Sequence, residues 1–285
     1  MLLTFLLVGC SVNINIGLNS KRYETTKELK AAYYEGIKLD VLTSTGDVTV
    51  ENWDEDMVFI EAIITGIAST EEAAESNAYN TEIEIDSDDK RIKIRSKVPK
   101  NMDRSSGATV AYNIKIPKDF GGTFKSSTGK IDIASATNDL SISTSTGDVI
   151  ISDLKGDLDI KTSTGDVYLG SVNGNLKQRA STGDLTIEYL NGTVDVAAST
   201  GKFNGKLELT GKNNKIQSST GDIKVSLINP ALRLRADTST GRIDIGELDL
   251  KSVTLKDRKI EGVLNSEDGT LKITTSTGDI AINVK

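Results

Sequence analysis

The chain has 285 residues, of which 26% are charged, 37% are hydrophobic and 5% are aromatic. Its formal net charge of −7 argues against nucleic acid as a partner, because phosphate binding depends on basic patches. The sequence contains no histidine and only one cysteine, so the general acid or base of an enzyme would have to be an aspartate or a glutamate.

The first nine residues are almost entirely apolar and end just before the only cysteine. Leu7-Val8-Gly9-Cys10 resembles the lipobox of bacterial lipoprotein signal peptides, in which the cysteine is lipidated and becomes the new amino terminus. We therefore expect residues 1–9 to be a signal peptide and Cys10 to carry a lipid that anchors the chain on the outer side of the cytoplasmic membrane. The alternative is a buried N-terminal strand with an incidental cysteine.

Residues 10–120 form two segments that differ in the periodicity of their apolar residues. Residues 10–35 show no stable period, which predicts a tether that ends in a first strand. Residues 36–120 contain short runs of alternating apolar residues, which predict an N-terminal β segment. Within it, residues 69–79 break the alternation, and Ser69 with Glu72 fits a capping box. One short helix is expected there, covering an edge or an end of the sheets.

The motif Ser-Thr-Gly-Asp and its close variants recur through residues 121–285. Successive motif glycines are separated by 18 residues four times and by 20 residues twice, and the last interval is 37 residues. One further copy lies upstream. The motif positions are Gly46, Asp47, Gly129, Gly147, Asp148, Gly165, Asp166, Gly183, Asp184, Gly201, Gly221, Asp222, Gly241, Gly278 and Asp279. A fixed period of this kind indicates a repeat protein.

Each 18-residue unit contains two apolar-x-apolar runs, such as those at Val149-Ile150-Ile151 and Leu158-Asp159-Ile160. These runs are too short for helices and predict two strands joined by tight turns, at which glycine supplies a positive φ. Because one such coil cannot bury its own apolar row, Val149, Val167 and Leu185 are expected to stack in successive coils. The sequence therefore predicts an all-β, parallel β-solenoid (β-helix). A propeller is disfavoured, since its blades need about 40 to 50 residues each.

The irregular units predict where insertions are tolerated. The extra residues of the 20-residue intervals are expected in turns, near residues 211–214 and 229–230. Between Gly241 and Gly278 the motif is missing at its expected middle position. The alternation around Val253 and Leu255 persists there, which predicts that the core pattern continues.

The repeated residues do not resemble a catalytic site, since every coil carries the same aspartate and a reaction needs one site. No catalytic residue, cofactor or metal site is therefore predicted. Two interpretations of the aspartate column remain, calcium bound between coils and solvated carboxylates that accept hydrogen bonds from their own backbone amides. The second is favoured. Hydroxyl ladders such as Thr144-Ser145-Thr146 could also bind ordered water, although the glycine that follows indicates a turn rather than a flat strand.

Taken together, several features resemble a family of prokaryotic cell-surface β-solenoid domains known as putative adhesins. They are the lipobox, the Trp53-Asp54-Glu55-Asp56 segment, the acidic helix, the Ile114-Lys115-Ile116-Pro117 strand end and the serial Ser-Thr-Gly-Asp repeats. The resemblance implies a non-catalytic surface module, with an unidentified extracellular protein or glycan as its partner, and supplies no ligand-binding residues. The alternatives are a structural or regulatory envelope lipoprotein with a protein partner and, less favoured, a carbohydrate-active β-helix enzyme.

Overall fold

A computed structural model of the chain describes residues 20–99 and 106–285. The expected signal peptide and Cys10 lie outside the described residues. The structure is 70% strand and 3% helix, which confirms the predicted all-β class. The chain separates into two compact units, Met1–Thr137 and Asn138–Lys285.

The N-terminal unit contains nine strands and one helix within its described residues. In chain order these elements are β1 (Lys21–Ala32), β2 (Ile37–Thr45), β3 (Val48–Asn52), β4 (Met57–Ala68), α1 (Glu71–Tyr79), β5 (Glu82–Ser87), β6 (Arg91–Lys97), β7 (Gly107–Ile116), β8 (Phe120–Thr128) and β9 (Ile131–Ala136). Strand β1 lies within residues 10–35, the segment for which a tether ending in a first strand was predicted.

Two sheets make up this unit, with strand orders β1-β4-β7-β3-β9 and β8-β2-β6-β5. Strands β2 and β3 flank Gly46 and pair in parallel with β8 and β9, which flank Gly129. The motif copy that is isolated in sequence is therefore a direct neighbour of the next copy in space. Strand β4 pairs antiparallel with both β1 and β7, so the outer part of this unit departs from the expected parallel pattern.

The helix begins one residue later than the capping box predicted. Thr70, not Ser69, is the N-cap, and its hydroxyl accepts a hydrogen bond of 3.2 Å from the backbone N–H of Ala73. The helix packs against β1 and β4 and buries Ala74 and Ala78. In the described part of the chain, no helix has the length and apolar character needed to cross a lipid bilayer.

The C-terminal unit consists of strands and turns. Its strands are β10 (Leu140–Thr146), β11 (Val149–Lys155), β12 (Leu158–Thr164), β13 (Val167–Asn173), β14 (Leu176–Thr182), β15 (Leu185–Gly192), β16 (Val194–Thr200), β17 (Phe203–Leu209), β18 (Asn214–Thr220), β19 (Ile223–Leu227), β20 (Leu232–Thr240), β21 (Ile243–Asp244), β22 (Lys251–Lys256), β23 (Lys259–Leu264), β24 (Gly269–Thr277) and β25 (Ile280–Val284).

The regular coils stack in the predicted register. Val149 pairs with Val167, which pairs with Leu185, in one sheet. Leu158 and Leu176 pair in the same way in the other sheet. All five side chains are buried, with 0–3% of their surface exposed. Repetition of this pattern builds a narrow aliphatic core between two parallel sheets, which confirms the β-solenoid.

The order of the last coils differs from the order of the chain. The sheets of this unit run β11-β13-β15-β17-β19-β25-β21 and β10-β12-β14-β16-β18-β24-β20-β23-β22. The final coil, β24 and β25, is thus inserted between the coil of β18 and β19 and the coil of β20 and β21. In each case the pairing is parallel.

The prediction that the core pattern continues between Gly241 and Gly278 is confirmed only in part, in β24, where Leu271 and Ile273 are fully buried. Strands β22 and β23 form an antiparallel hairpin, and β22 lies at the edge of its sheet. Val253 and Leu255 are 42% and 65% exposed. The prediction was wrong for Val253 and Leu255, because alternation shows which residues share a face, whereas burial of that face requires a facing sheet.

Candidate functional site

The Ser-Thr-Gly-Asp copies all form turns with the same backbone conformation. Every motif glycine has a φ between +132° and +147°, a region that L side chains rarely adopt. A Cβ atom added to Gly165 would lie 2.2 Å from the carbonyl oxygen of Gly147 in the preceding coil. Glycine is therefore required both by the turn and by the close approach of successive coils.

Seven of these turns belong to the C-terminal unit, and we call the row that they form the motif edge. In spatial order its turns lie at Gly147, Gly165, Gly183, Gly201, Gly221, Gly278 and Gly241. The two remaining turns, at Gly46 and Gly129, belong to the N-terminal unit.

The motif aspartates connect neighbouring coils. The Oδ1 atom of Asp148 accepts a hydrogen bond of 2.8 Å from the backbone N–H of Asp166, and Asp166 accepts the same bond from Asp184. The favoured interpretation placed these hydrogen bonds within one turn. The structure places them between one turn and the next, because the parallel coils stack each amide beside the carboxylate of its predecessor.

We call this row of hydrogen bonds between motif aspartates the ladder. Each run of successive aspartates in the ladder ends at a basic residue in the next coil. The backbone N–H groups of Lys202 and Arg242 donate 2.8 Å hydrogen bonds to Asp184 and Asp279. Lys130 ends the run that begins at Asp47 in the N-terminal unit in the same way. A cation at this position offsets the repulsion between stacked carboxylates. Among residues 20–99 and 106–285, no group of three or more acidic, histidine or cysteine side chains is placed to hold a metal ion.

Two continuous columns of hydroxyl groups lie beside the glycines. The serine and the threonine that precede each motif glycine are exposed in every coil of the motif edge, as at Ser145 and Thr146. The residue before them is buried or half-buried, and Thr144 and Thr162 are only 4% and 6% exposed. Alanine takes the place of threonine in this inner column at Ala180 and Ala198. The two outer columns are uninterrupted.

Two adjoining grooves run beside the motif edge. The first has a volume of about 250 Å³, and its polar lining includes Asp184, Thr186, Lys202, Asn204, Asp222 and Lys224. The second, of about 570 Å³, shares Asp222 and Lys224 and adds Arg242, Asp244 and Asp279. Carboxylates, cations, an amide and a hydroxyl therefore alternate along one shallow surface.

An exposed aromatic ring lies at the start of this surface. Tyr168, which is 42% exposed, pairs directly with Thr186 in the neighbouring strand. Side chains of paired residues lie on the same face of a sheet. The ring of Tyr168 therefore stands beside the first groove.

Sequence reasoning missed a second ladder, at the other turn of the coil. Asp139 accepts a 2.8 Å hydrogen bond from the N–H of Asp157, and Asp157 accepts a 2.9 Å bond from the N–H of Asn175. The hydroxyl of Thr193 then donates to the side-chain oxygen of Asn175 at 2.6 Å. The 18-residue spacing of these polar residues was visible in the sequence. The chemical type changes from coil to coil, which hid the column.

Comparisons with solved structures give low similarity over most of the chain. A putative adhesin from Parabacteroides distasonis is 12% identical, with 90% of this chain and 96% of that chain covered and a TM-score of 0.38. For a putative adhesin from Bacteroides fragilis the identity is 11%, the coverages are 90% and 96%, and the TM-score is 0.32. A putative lipid binding protein from Parabacteroides distasonis is 13% identical, with coverages of 92% and 96% and a TM-score of 0.27.

No curated protein matches the sequence. The family model for Toastrack DUF4097 matches residues 36–283, which include every motif turn and nearly all strands of both units. The chain therefore belongs to the Toastrack DUF4097 family, whose fold is β-solenoid-like.

Proposed function

We propose that the protein is a non-catalytic, lipid-anchored module of the cell envelope that binds an extracellular glycan along the motif edge. The observation that carries the proposal is the unbroken pair of exposed serine and threonine columns beside the two polar grooves. A glycan presents many hydroxyl groups in a regular array, and such groups are recognised by side chains that both donate and accept hydrogen bonds. The ring of Tyr168 adds an apolar platform of the kind on which sugar rings stack.

Localisation is the first part of this proposal to test. The chain is expressed with its native leader beside a Cys10→Ala variant, the cells are fractionated, and the mature N-terminus is examined by mass spectrometry. We expect a lipid-modified Cys10 in the membrane fraction and loss of this form in the variant. An unprocessed Met1 on a soluble cytoplasmic protein would contradict the anchored surface module.

Binding is the second part, and it requires variants that cover the grooves without disturbing the core. Ser181, Ser199 and Ser219 are exposed residues of three successive motif turns beside the grooves. Their simultaneous substitution by arginine adds bulk and charge there. The matched control is a second triple variant, in which Ser141, Ser152 and Asn173 are replaced by arginine. These three residues are also exposed but lie away from the motif turns.

The two triple variants are compared with the wild type on a glycan array and on whole cells, before and after protease treatment of the cells. Binding that survives the protease, is lost with the motif-edge variant and is retained by the control supports a glycan ligand. Binding that the motif-edge variant retains would overturn the assignment of the site.

A protein partner is the second candidate, and the exposed edge of β22 favours it. This edge strand carries the exposed side chains of Val253 and Leu255, and a partner could add a strand to it. Cell binding that protease treatment abolishes and that Leu255→Glu weakens would select this candidate.

A further inference from the structure

The N-terminal unit contains an open surface cavity that is separate from the motif edge. It has a volume of about 370 Å³ and lies where three connections meet, namely the loop after β1, the loop between β3 and β4 and the loop between β7 and β8. The volume falls within the range of small-molecule sites, about 300–1,000 Å³. The residues that line it include two aromatic residues, Tyr33 and Trp53, and four acidic residues, Asp54, Glu55, Asp56 and Asp119.

Both aromatic residues have their polar atoms engaged by the protein. The indole N–H of Trp53 donates a hydrogen bond of 2.8 Å to the carbonyl oxygen of Met57, and the ring packs against Phe59 with a centroid distance of 6.1 Å. The hydroxyl of Tyr33 donates to the backbone carbonyl oxygen of Asp119 at 3.0 Å. Because the indole N–H and the phenol hydroxyl already have hydrogen-bond partners, the two side chains can offer a ligand their aromatic rings rather than hydrogen-bonding groups.

The charge around these rings is negative. Among the described residues, four carboxylates and the ammonium of Lys118 line the cavity, an excess of three negative charges. The carboxylate of Asp119 is held in place by the backbone N–H of Gly36 at 3.0 Å and the hydroxyl of Thr137 at 2.7 Å. Burial and the nearby carboxylates, including Asp119 and Asp56, raise the pKa of Tyr33. Negative charge near the ring favours a cation in the cavity.

The chemistry of the walls selects the class of cation. A metal ion needs several oxygen atoms that converge on one point, and no such group is present in the described residues. An aromatic face instead attracts a weakly hydrated organic cation, such as a quaternary ammonium. We propose that this cavity binds a compact alkylammonium group, with Tyr33 and Trp53 as its aromatic walls and Asp54 and Asp56 supplying the attraction at its rim. This proposal is independent of glycan binding at the motif edge.

Trp53 makes the proposal directly measurable, because it is the only tryptophan in the sequence. The purified chain is titrated with choline while tryptophan emission is recorded. The matched probe is 3,3-dimethylbutan-1-ol, which has the shape of choline without its charge. We expect a saturable change with choline and about tenfold weaker binding of the alcohol. Equal binding of the two probes, or no saturable response to either by emission and calorimetry, would overturn the proposal.

Variants test the two wall chemistries separately. Replacement of Asp54 and Asp56 by asparagine should weaken choline binding about five- to tenfold. Glu82→Gln with Asp86→Asn removes the same charge from exposed positions on β5 and should leave binding unchanged. An equal loss in both double variants would show that only the net charge of the protein matters, which would contradict a specific site.

The aromatic wall is tested at Tyr33. Tyr33→Phe keeps the ring and should keep the affinity, whereas Tyr33→Leu should lower it several-fold. The triple arginine variant of the motif edge should bind choline as the wild type does, so failure of the glycan proposal and failure of this one are distinguishable. Vesicles of phosphatidylcholine, compared with vesicles of phosphatidylglycerol, then identify the source of the group. Binding of the phosphatidylcholine vesicles in addition to choline indicates a lipid headgroup, and binding of choline alone indicates a free ammonium compound.

Discussion

The carboxylate of Asp148 and the backbone N–H of Asp166 are joined by a 2.8 Å hydrogen bond across successive coils. The bond repeats one coil further on, between Asp166 and Asp184. Each aspartate is thus a donor to the coil before it and an acceptor for the coil after it. This arrangement explains why the motif keeps an acidic or basic residue directly after its glycine. Carboxylates are needed within a run, and a cation ends it.

Two substitutions of Asp166 distinguish the contribution of its hydrogen bond to stability from the contribution of its charge. We expect Asp166→Ala to lower the free energy of unfolding by about 0.5–1.5 kcal/mol, because the N–H of Asp184 loses its acceptor. Asp166→Asn keeps an acceptor oxygen and removes one of three stacked negative charges, so its stability should equal or exceed that of the wild type. Urea unfolding followed by circular dichroism measures both variants.

Salt provides the control for this interpretation. Added sodium chloride screens exposed charges, so it should stabilise the wild type more than Asp166→Asn. Similar destabilisation by alanine and asparagine would contradict the acceptor role of the carboxylate.

Substitution of Gly165 measures how much a side chain at a motif turn lowers the free energy of unfolding. Its φ is +138°, and an added Cβ would lie 2.2 Å from a backbone oxygen of the preceding coil. We expect Gly165→Ala to cost at least about 3 kcal/mol, because strain and steric overlap act together. Gly246 in the same unit has a φ of +53°, and no atom of the described residues lies within 4 Å of an added Cβ, so Gly246→Ala should cost only about 1 kcal/mol. Equal costs in urea unfolding would show that the close approach of coils is unimportant.

The fold class and the register of the regular coils were predictable because the period is local. An 18-residue spacing places Val149 over Val167 and Leu185 regardless of what the rest of the chain does. The order of the last coils was not predictable in this way. Ile280 pairs on one side with Ile223 and on the other with Ile243. Since all coils carry the same apolar rows and the same turn, the sequence contains no local signal for which coil is inserted.

The two candidate sites also differ in whether the sequence predicts them. The motif edge follows from glycine positions that can be counted along the chain. The cavity in the N-terminal unit is formed by Tyr33, Trp53 and Asp119, which lie on three connections separated by long stretches of sequence. The sequence marks Trp53 as unusual, because it is the only tryptophan, but gives no indication of its neighbours. The pairing of β4 with both β1 and β7, which are far apart in the chain, brings these loops together.

The coil of β24 and β25 lies between other coils, and we expect the segment before it, residues 232–264, to depend on it for stability. Strand β20 pairs on one side with β24 and on the other with β23. Removal of residues 269–285 takes away β24 and β25, so β20 loses its connection to the remaining coils. We expect residues 232–264 to lose most of their protection in amide hydrogen exchange, whereas residues 140–200 keep theirs.

Leu255→Ala is the comparison for this truncation. Leu255 belongs to the same segment but is 65% exposed, so its substitution should leave the exchange pattern of residues 232–264 nearly unchanged. Full protection of that segment after truncation would contradict the dependence on the inserted coil.

The fully buried Tyr112 should make the N-terminal unit sensitive to high pH. Burial raises the pKa of Tyr112 to about 12, whereas a tyrosine in the unfolded chain has a pKa near 10. Below pH 10 both states hold the proton, and the full stabilisation is present. Between pH 10 and 12 the unfolded state releases the proton and the folded state retains it, so unfolding becomes more favourable as the pH rises. This group alone should lower the stability by about 2–3 kcal/mol over that interval.

Tyr112→Phe removes the ionisable group and keeps the ring in the core. We therefore expect its free energy of unfolding to fall less steeply between pH 10 and 12 than that of the wild type, in urea titrations at a series of pH values. Tyr168→Phe is the control, because Tyr168 is 42% exposed and its removal should leave the steep fall intact. Lysine deprotonation affects all three proteins alike and cancels in the comparison. Parallel curves for the wild type and Tyr112→Phe would mean that the hydroxyl of Tyr112 reaches water without unfolding.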